Sequence, residues 1–196
     1  FFTIISRLLG YVRDILIAIF LGASLLADAF FVAFRIPNTF RRLFSEGTFN
    51  AAFVPSYTSE LIKGKTKSNK FANEIFNLLL VGLFLIVLIV QIFMPIFVSL
   101  IAPGFVEDDN KMSLAIDLTR ITFPFLMFVS LSSFFSAILN SHNKFAAASA
   151  APIILNLLLI GVLCFGKYLN DNLIYYLSYG ISIGGFLQLI FLYKFV

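Results

Sequence analysis

Five ionisable side chains stand where apolar segments should have none. Arg7, Arg13, Asp14, Asp28 and Arg35 fall inside two long hydrophobic stretches at the start of the chain. An Arg or Asp at the centre of a spanning helix costs about 2.5–3.5 kcal/mol. Together the five oppose insertion by on the order of 10 kcal/mol before pairing and snorkelling. Such groups are tolerated where they face water, a ligand or each other. Arg7 and Asp14 are seven residues apart, which returns them to nearly the same helix face, whereas Arg13 points elsewhere. Asp28, Arg35 and Arg42 also repeat at seven and form a second stripe, with Glu46 four residues beyond Arg42. Two helices with polar stripes predict a shared hydrated cavity with a net positive lining. That lining suits an anion, because guanidinium donates paired hydrogen bonds to phosphate and stays charged at any accessible pH.

Plainer roles compete for the same residues. Arg35, Arg41 and Arg42 also suit anchors at a cytoplasmic helix end, and Arg13–Asp14 a structural ion pair. The lysines of Lys63–Lys70 read as a solvated topology signal, with anionic-lipid binding as the sharper alternative. Asp117 and Arg120 are spaced for a local ion pair, His142 for a solvated loop and Cys164 for apolar packing. One histidine and one cysteine leave no Cys/His metal cluster and no internal disulfide.

The elements that must position these residues follow from composition. The chain has 196 residues, 60% hydrophobic and 12% charged. A soluble domain is about 45–50% apolar and about a quarter charged, and a disordered chain is more polar still. A polytopic all-α membrane protein remains, since long unbroken apolar runs do not alternate as barrel strands do. At about 20 residues per crossing the length allows roughly six. They are expected at 1–20, 25–62, 75–101, 112–139, 145–165 and 173–195. Pro37 and Pro55 should bend the second, and the third and fourth contain Pro95 and Pro124. A basic loop at 63–70, an acidic loop at Glu107-Asp108-Asp109 and a short polar turn at 167–172 separate them. Lys63, Lys65, Lys67 and Lys70 outweigh the lysines of the alternate loops, so even-numbered exits and the amino terminus are expected to be cytoplasmic. The formal net charge of +4 does not argue for nucleic acid, because arginines within apolar segments make no exposed basic face.

Specific motifs sharpen this picture. Ser6-Arg7-Leu8-Leu9-Gly10-Tyr11-Val12-Arg13-Asp14 resembles the opening signature of the MurJ/MviN lipid II flippases, within the multidrug/oligosaccharidyl-lipid/polysaccharide exporter superfamily. The resemblance continues through Ala27-Asp28-Ala29-Phe30-Phe31 to Arg35-Ile36-Pro37-Asn38, through Arg41-Arg42-Leu43-Phe44-Ser45-Glu46-Gly47, and through Ala52-Phe53-Val54-Pro55. Later blocks agree, including Ala102-Pro103-Gly104-Phe105, Ile121-Thr122-Phe123-Pro124 and Ala137-Ile138-Leu139-Asn140.

The resemblance implies one amino-terminal lobe of a two-lobe, V-shaped, alternating-access transporter in the bacterial inner membrane. It implies that the lobe's partners are a lipid-linked diphosphate-sugar, the undecaprenyl-diphosphate-linked peptidoglycan precursor, together with membrane lipids and a carboxy-terminal lobe. By motif, Arg7, Arg13, Asp14 and Arg41 correspond to essential cavity residues of the family, and Asp28 to a further cavity acid. Ser6, Arg35, Arg42 and Glu46 are candidates for the cavity or its rim. No cofactor and no metal are expected. Three rivals stand beside this reading: a sibling translocase for O-antigen or capsule lipids or for drugs, a polyprenyl-phosphate enzyme, and a non-transporting helical scaffold whose arginines would tolerate alanine. The second needs clustered acid/base or metal-binding side chains that scattered acids and one loop histidine do not supply.

Overall fold

A computed structural model describes residues 1–46, 48–166 and 173–196, without the side chains of 36, 40–46, 48 and 50. The described residues form helices and short connections: α1 (Phe2–Leu21), α2 (Leu25–Glu46), α3 (Thr48–Ile62), α4 (Lys65–Ile92), α5 (Met94–Ile101), α6 (Asp109–Thr122), α7 (Phe125–Ser141), α8 (Phe145–Phe165) and α9 (Leu173–Tyr193). A 3-10 turn, Pro103–Phe105, links α5 to α6.

Local sequence sets the joints. α1 stops at Gly22, whose φ of 56° is left-handed and open to glycine at little cost. Two residues on, the Ser24 hydroxyl donates to Leu21 O at 2.8 Å and accepts from Ala27 N–H at 3.1 Å. One side chain thus closes α1 and caps α2. Asp108 caps α6 by accepting from the N–H groups of Asn110 and Lys111, at 3.1 Å each.

Among the described residues, four helical spans are long and apolar enough to cross a membrane: 65–92, 109–141, 145–165 and 173–193. α1 and α2, of 20 and 22 residues, have the length but carry the arginines and acids described above. α7 is the central helix, packed on α2, α3, α4, α8 and α9, whereas α1 rests mainly on α8. α4 is peripheral and leaves Leu78, Val81, Leu85 and Ile92 exposed. In a bilayer those side chains meet lipid tails as apolar as themselves. Helix association therefore rests on close packing rather than on transfer from water. Gly184 shows how close: a Cβ there would lie 2.5 Å from Leu155 Cδ1 and 3.4 Å from Leu155 Cα. At Gly185 a Cβ would lie 2.4 Å from the Phe125 ring.

Two buried clusters hold the lobe. Phe30, Ala33, Met94, Leu118, Phe125 and Leu159 centre the first, joining α2, α5, α6, α7 and α8. The second is aromatic: Phe53 stacks on Tyr57 and Phe71 and meets Phe134 with ring centroids 5.0 Å apart.

Several joints differ from the sequence expectation. The long second segment is described as α2 and α3, on either side of residue 47, with Pro37 inside the first and Pro55 inside the second. The basic loop shrinks to Lys63-Gly64, because lysine is a good helix former and nothing in 65–74 breaks a helix. Lys65, Lys67 and Lys70 therefore ride on an extension of α4. The third crossing breaks at Phe93, just before Pro95, and the fourth at Phe123-Pro124, where proline supplies no N–H. His142 is not merely solvated: its Nε2 lies 3.0 Å from Tyr57 Oη and joins the α7 end to α3. Cys164 is exposed rather than packed, and no salt bridge joins Asp117 to Arg120 among the described residues. The polar turn expected at 167–172 lies outside the described residues.

Candidate functional site

α1 carries Thr3, Ser6, Arg7, Gly10 and Arg13 at spacings of three to four, which puts them on one helical face. That face looks onto α8 across a cavity of about 640 Å³, walled also by α2, α7 and α9. The charged lining belongs to Arg7 and Arg13.

Arg13 is held on three sides. Its Nε and Nη2 donate to Asp14 Oδ1 at 3.0 and 2.8 Å, and Nη1 donates to Asn156 Oδ1 at 2.8 Å. The guanidinium carbon also sits 5.7 Å from the Phe34 ring centroid, within cation–π range. Asn156 is buried, and its Nδ2 donates to Ser6 O at 3.0 Å. Both ends of one carboxamide are thus used, which fixes its orientation; the flipped amide would turn donors toward the guanidinium. The Arg13 side chain is 15% exposed and that of Asp14 63%. The acid therefore steadies the arginine from the outer side while the guanidinium remains at the cavity wall.

The predicted site residues divide. Ser6, Arg7 and Arg13 line one cavity. Asp14 does not line it but pairs with Arg13, so the expected Arg7–Asp14 face is replaced by an Arg7–Arg13 face. Asp14 Oδ1 accepts both the Nε and Nη2 bonds of Arg13, which holds the carboxylate against the arginine on its exposed side. Asp28 lies elsewhere, paired with Lys111 at 2.5 Å, and the Lys111 Nζ also lies 4.5 Å over the Phe105 ring. Arg35 is exposed and outside the cavity lining, while its neighbours Phe34 and Asn38 line it. Asp28 and Arg35 of the α2 stripe therefore lie outside this cavity, whereas Arg7 of α1 lines it. The side chains of Arg41, Arg42 and Glu46 lie outside the described residues.

The sequence reading missed the uncharged lining. Asn156 stands among Pro152-Ile153-Ile154-Leu155 and Leu157-Leu158-Leu159-Ile160, a lone amide in an apolar run. Ser132, Ser136 and Asn140 recur at intervals of four along α7, and Gln188 is buried on α9. That spacing was available as a signal, but isolated serines in apolar helices commonly bond back to their own turn. Among the described residues no group of three or more His, Cys, Asp or Glu is placed to hold a metal. The arrangement can bind an anion beside a neutral, hydrogen-bonding group.

The comparisons with known proteins agree with one another. The family model for the lipid II flippase MurJ matches residues 17–196. A probable lipid II flippase MurJ of Rhizobium tropici is 42% identical over 196 residues, covering 97% of this chain and 37% of the relative. That of Rickettsia prowazekii is 40% identical, covering 98% of this chain and 38% of its own length. Among solved structures, a lipid II flippase MurJ in an inward closed conformation superposes with a TM-score of 0.78 at 32% identity. The match covers 98% of this chain and 40% of that one. This chain thus spans less than two-fifths of the curated relatives named here. With a family match over most of its length and a shared all-helical fold, the chain belongs to the lipid II flippase MurJ family.

Proposed function

We propose that this chain forms the amino-terminal lobe of a transporter that moves the undecaprenyl-diphosphate-linked peptidoglycan precursor from the inner to the outer leaflet. Transport rather than catalysis is its role, and alternating access is its mechanism: two lobes rock about a midplane site open first to one side and then to the other. The observation that carries the reading is the Arg7–Arg13 wall of a cavity whose other sides include the apolar helices α7, α8 and α9. An arginine at such a depth is expensive, and a diphosphate repays the expense with charge-assisted, forked hydrogen bonds.

In this reading Arg7 and Arg13 engage the diphosphate. Asp14 and Asn156 orient Arg13, and Asp14 lowers the net positive charge so that the anion is held without being trapped. Arg41 joins the same group by its motif, with Ser6, Arg35, Arg42 and Glu46 at the cavity or its rim. Asp28 serves a different stretch of the pathway, at the Lys111 end of α2. A carboxy-terminal lobe completes the cavity. The amino terminus and the lysines at the start of α4 face the cytoplasm, in the bacterial inner membrane.

Complementation tests the assignment. The full-length protein should restore growth to cells depleted of their lipid II flippase, and the Arg13→Ala form should reach the membrane in normal amount without restoring it. Normal growth on Arg13→Ala would refute the reading.

A further inference from the structure

The cavity has two chemically different walls. The α1 wall is cationic through Arg7 and Arg13, while the facing wall of α7, α8 and α9 is polar without charge. Hydrogen-bond accounting separates the polar groups that the fold consumes from those it leaves over. Ser133 Oγ donates to Val129 O at 3.0 Å, and Ser149 Oγ donates to Phe145 O at 2.8 Å. Asn156 is occupied by Arg13 and Ser6. Four groups remain. Ser132 is 5% exposed and its hydroxyl has no hydrogen-bond partner. Gln188 is also 5% exposed, and no hydrogen bond ties its carboxamide, that of Asn140 or the Ser136 hydroxyl to the described chain.

Ser132 and Gln188 are buried, whereas Ser136 and Asn140 are part-exposed to the cavity. Buried polar groups are normally satisfied, so the two buried ones, left open beside two more facing the same space, mark a place where something else supplies the partners. The leftover set specifies the chemistry of that partner. Hydroxyls and carboxamides each donate and accept, and none carries charge. They match a group that likewise donates and accepts, such as a sugar hydroxyl or an acetamido substituent, and they offer an anion nothing to compare with the arginines opposite. The volume of about 640 Å³ lies within the range of about 300–1,000 Å³ typical of small-molecule sites.

We propose that Ser132, Ser136, Asn140 and Gln188 form a subsite for the uncharged, hydroxyl- and amide-bearing part of the transported head group. The arginine wall takes the diphosphate, and this wall reads what the diphosphate carries. The proposal rests on the transport reading given above. It makes the α7–α9 wall a determinant of which lipid-linked sugar is accepted, because open polar groups reject a ligand that leaves them unpaired.

Binding of two probes to the full-length protein in lipid nanodiscs tests it: a polyprenyl diphosphate without sugar, and the same lipid carrying its disaccharide. Gln188→Leu should weaken the sugar-bearing probe by about tenfold and leave the bare diphosphate unchanged. Arg7→Ala should weaken both. Ser132→Ala with Ser136→Ala carries the same test should Gln188→Leu fail to fold. Ser132→Ala alone removes a hydroxyl with no partner, so its unfolding temperature should not fall. Equal loss for both probes, or no loss for either because the wall holds water only, would overturn the subsite. Wild-type protein that binds neither probe would instead overturn the transport reading itself.

Discussion

Asn156 Oδ1 accepts a hydrogen bond from Arg13 Nη1 at 2.8 Å, joining α8 to α1 across 143 residues of chain. The same carboxamide donates to Ser6 O about two turns earlier on α1, so one buried side chain fixes both the helix and its arginine. Asn156→Leu keeps the branched outline of the side chain but removes both bonds, leaving one arm of Arg13 without its amide acceptor. A loss of about 1–3 kcal/mol is expected, read as a lower unfolding temperature in detergent. An unchanged unfolding temperature would mean that α1 is held by packing alone.

Glycine at the α8–α9 contact gives a second test. Gly184→Ala puts a methyl 2.5 Å from Leu155 Cδ1, so that leucine must leave its rotamer, with the Leu155 backbone in ordinary contact at 3.4 Å. The cost is expected at the low end of overpacking, about 1 kcal/mol. Gly161 has nothing within 4 Å of an added Cβ, so Gly161→Ala should be neutral or mildly stabilising. The pair of melting curves checks the packing directly.

The Asp28–Lys111 pair is partly exposed, with side chains 58% and 21% accessible. Solvent screening then limits its coupling to about 0.2–1 kcal/mol in a double-mutant cycle of Asp28→Asn and Lys111→Met, falling as salt rises. If Asp28 also acts on the substrate, Asp28→Asn will reduce transport more than Lys111→Met does. Equal effects would assign Asp28 a structural role only.

Orientation is tested by single cysteines in a Cys164→Ser background, since Cys164 is exposed and would itself react. An impermeant thiol reagent applied to intact spheroplasts should label Glu107→Cys and spare Lys67→Cys. The reverse pattern would invert the topology.

Much of this lobe was legible in the sequence because membrane insertion is governed by simple quantities. Apolar length located the helices, and the cost of burying charge singled out Arg7 and Arg13 as residues with a task. The Arg13–Asp14 pair was among the sequence readings and forms. Helical spacing put Arg7 and Asp14 on one face and Arg13 elsewhere, yet Arg13 lines the cavity and Asp14 does not. Asn156 and Gln188 were illegible for a different reason. An amide within an apolar run has a meaning only when its neighbours across the bundle are known, and these neighbours lie on α1 and α7. The charged half of the site could therefore be anticipated and the neutral half could not. The α4 boundary failed on local grounds, since a lysine-rich segment reads equally as a loop or as a helix standing in water.

The central claim is that the arginines of this lobe hold the diphosphate of the transported lipid. It is tested most directly by equilibrium binding of the lipid-linked precursor to the full-length protein with Arg13 intact, Arg13→Lys or Arg13→Ala. A lysine keeps the charge but cannot bridge Asp14, Asn156 and a phosphate with one planar fork. The account predicts strong binding for the wild type, binding weakened by about tenfold or more for Arg13→Lys, and a still larger loss for Arg13→Ala. Equal affinity in all three proteins would contradict it.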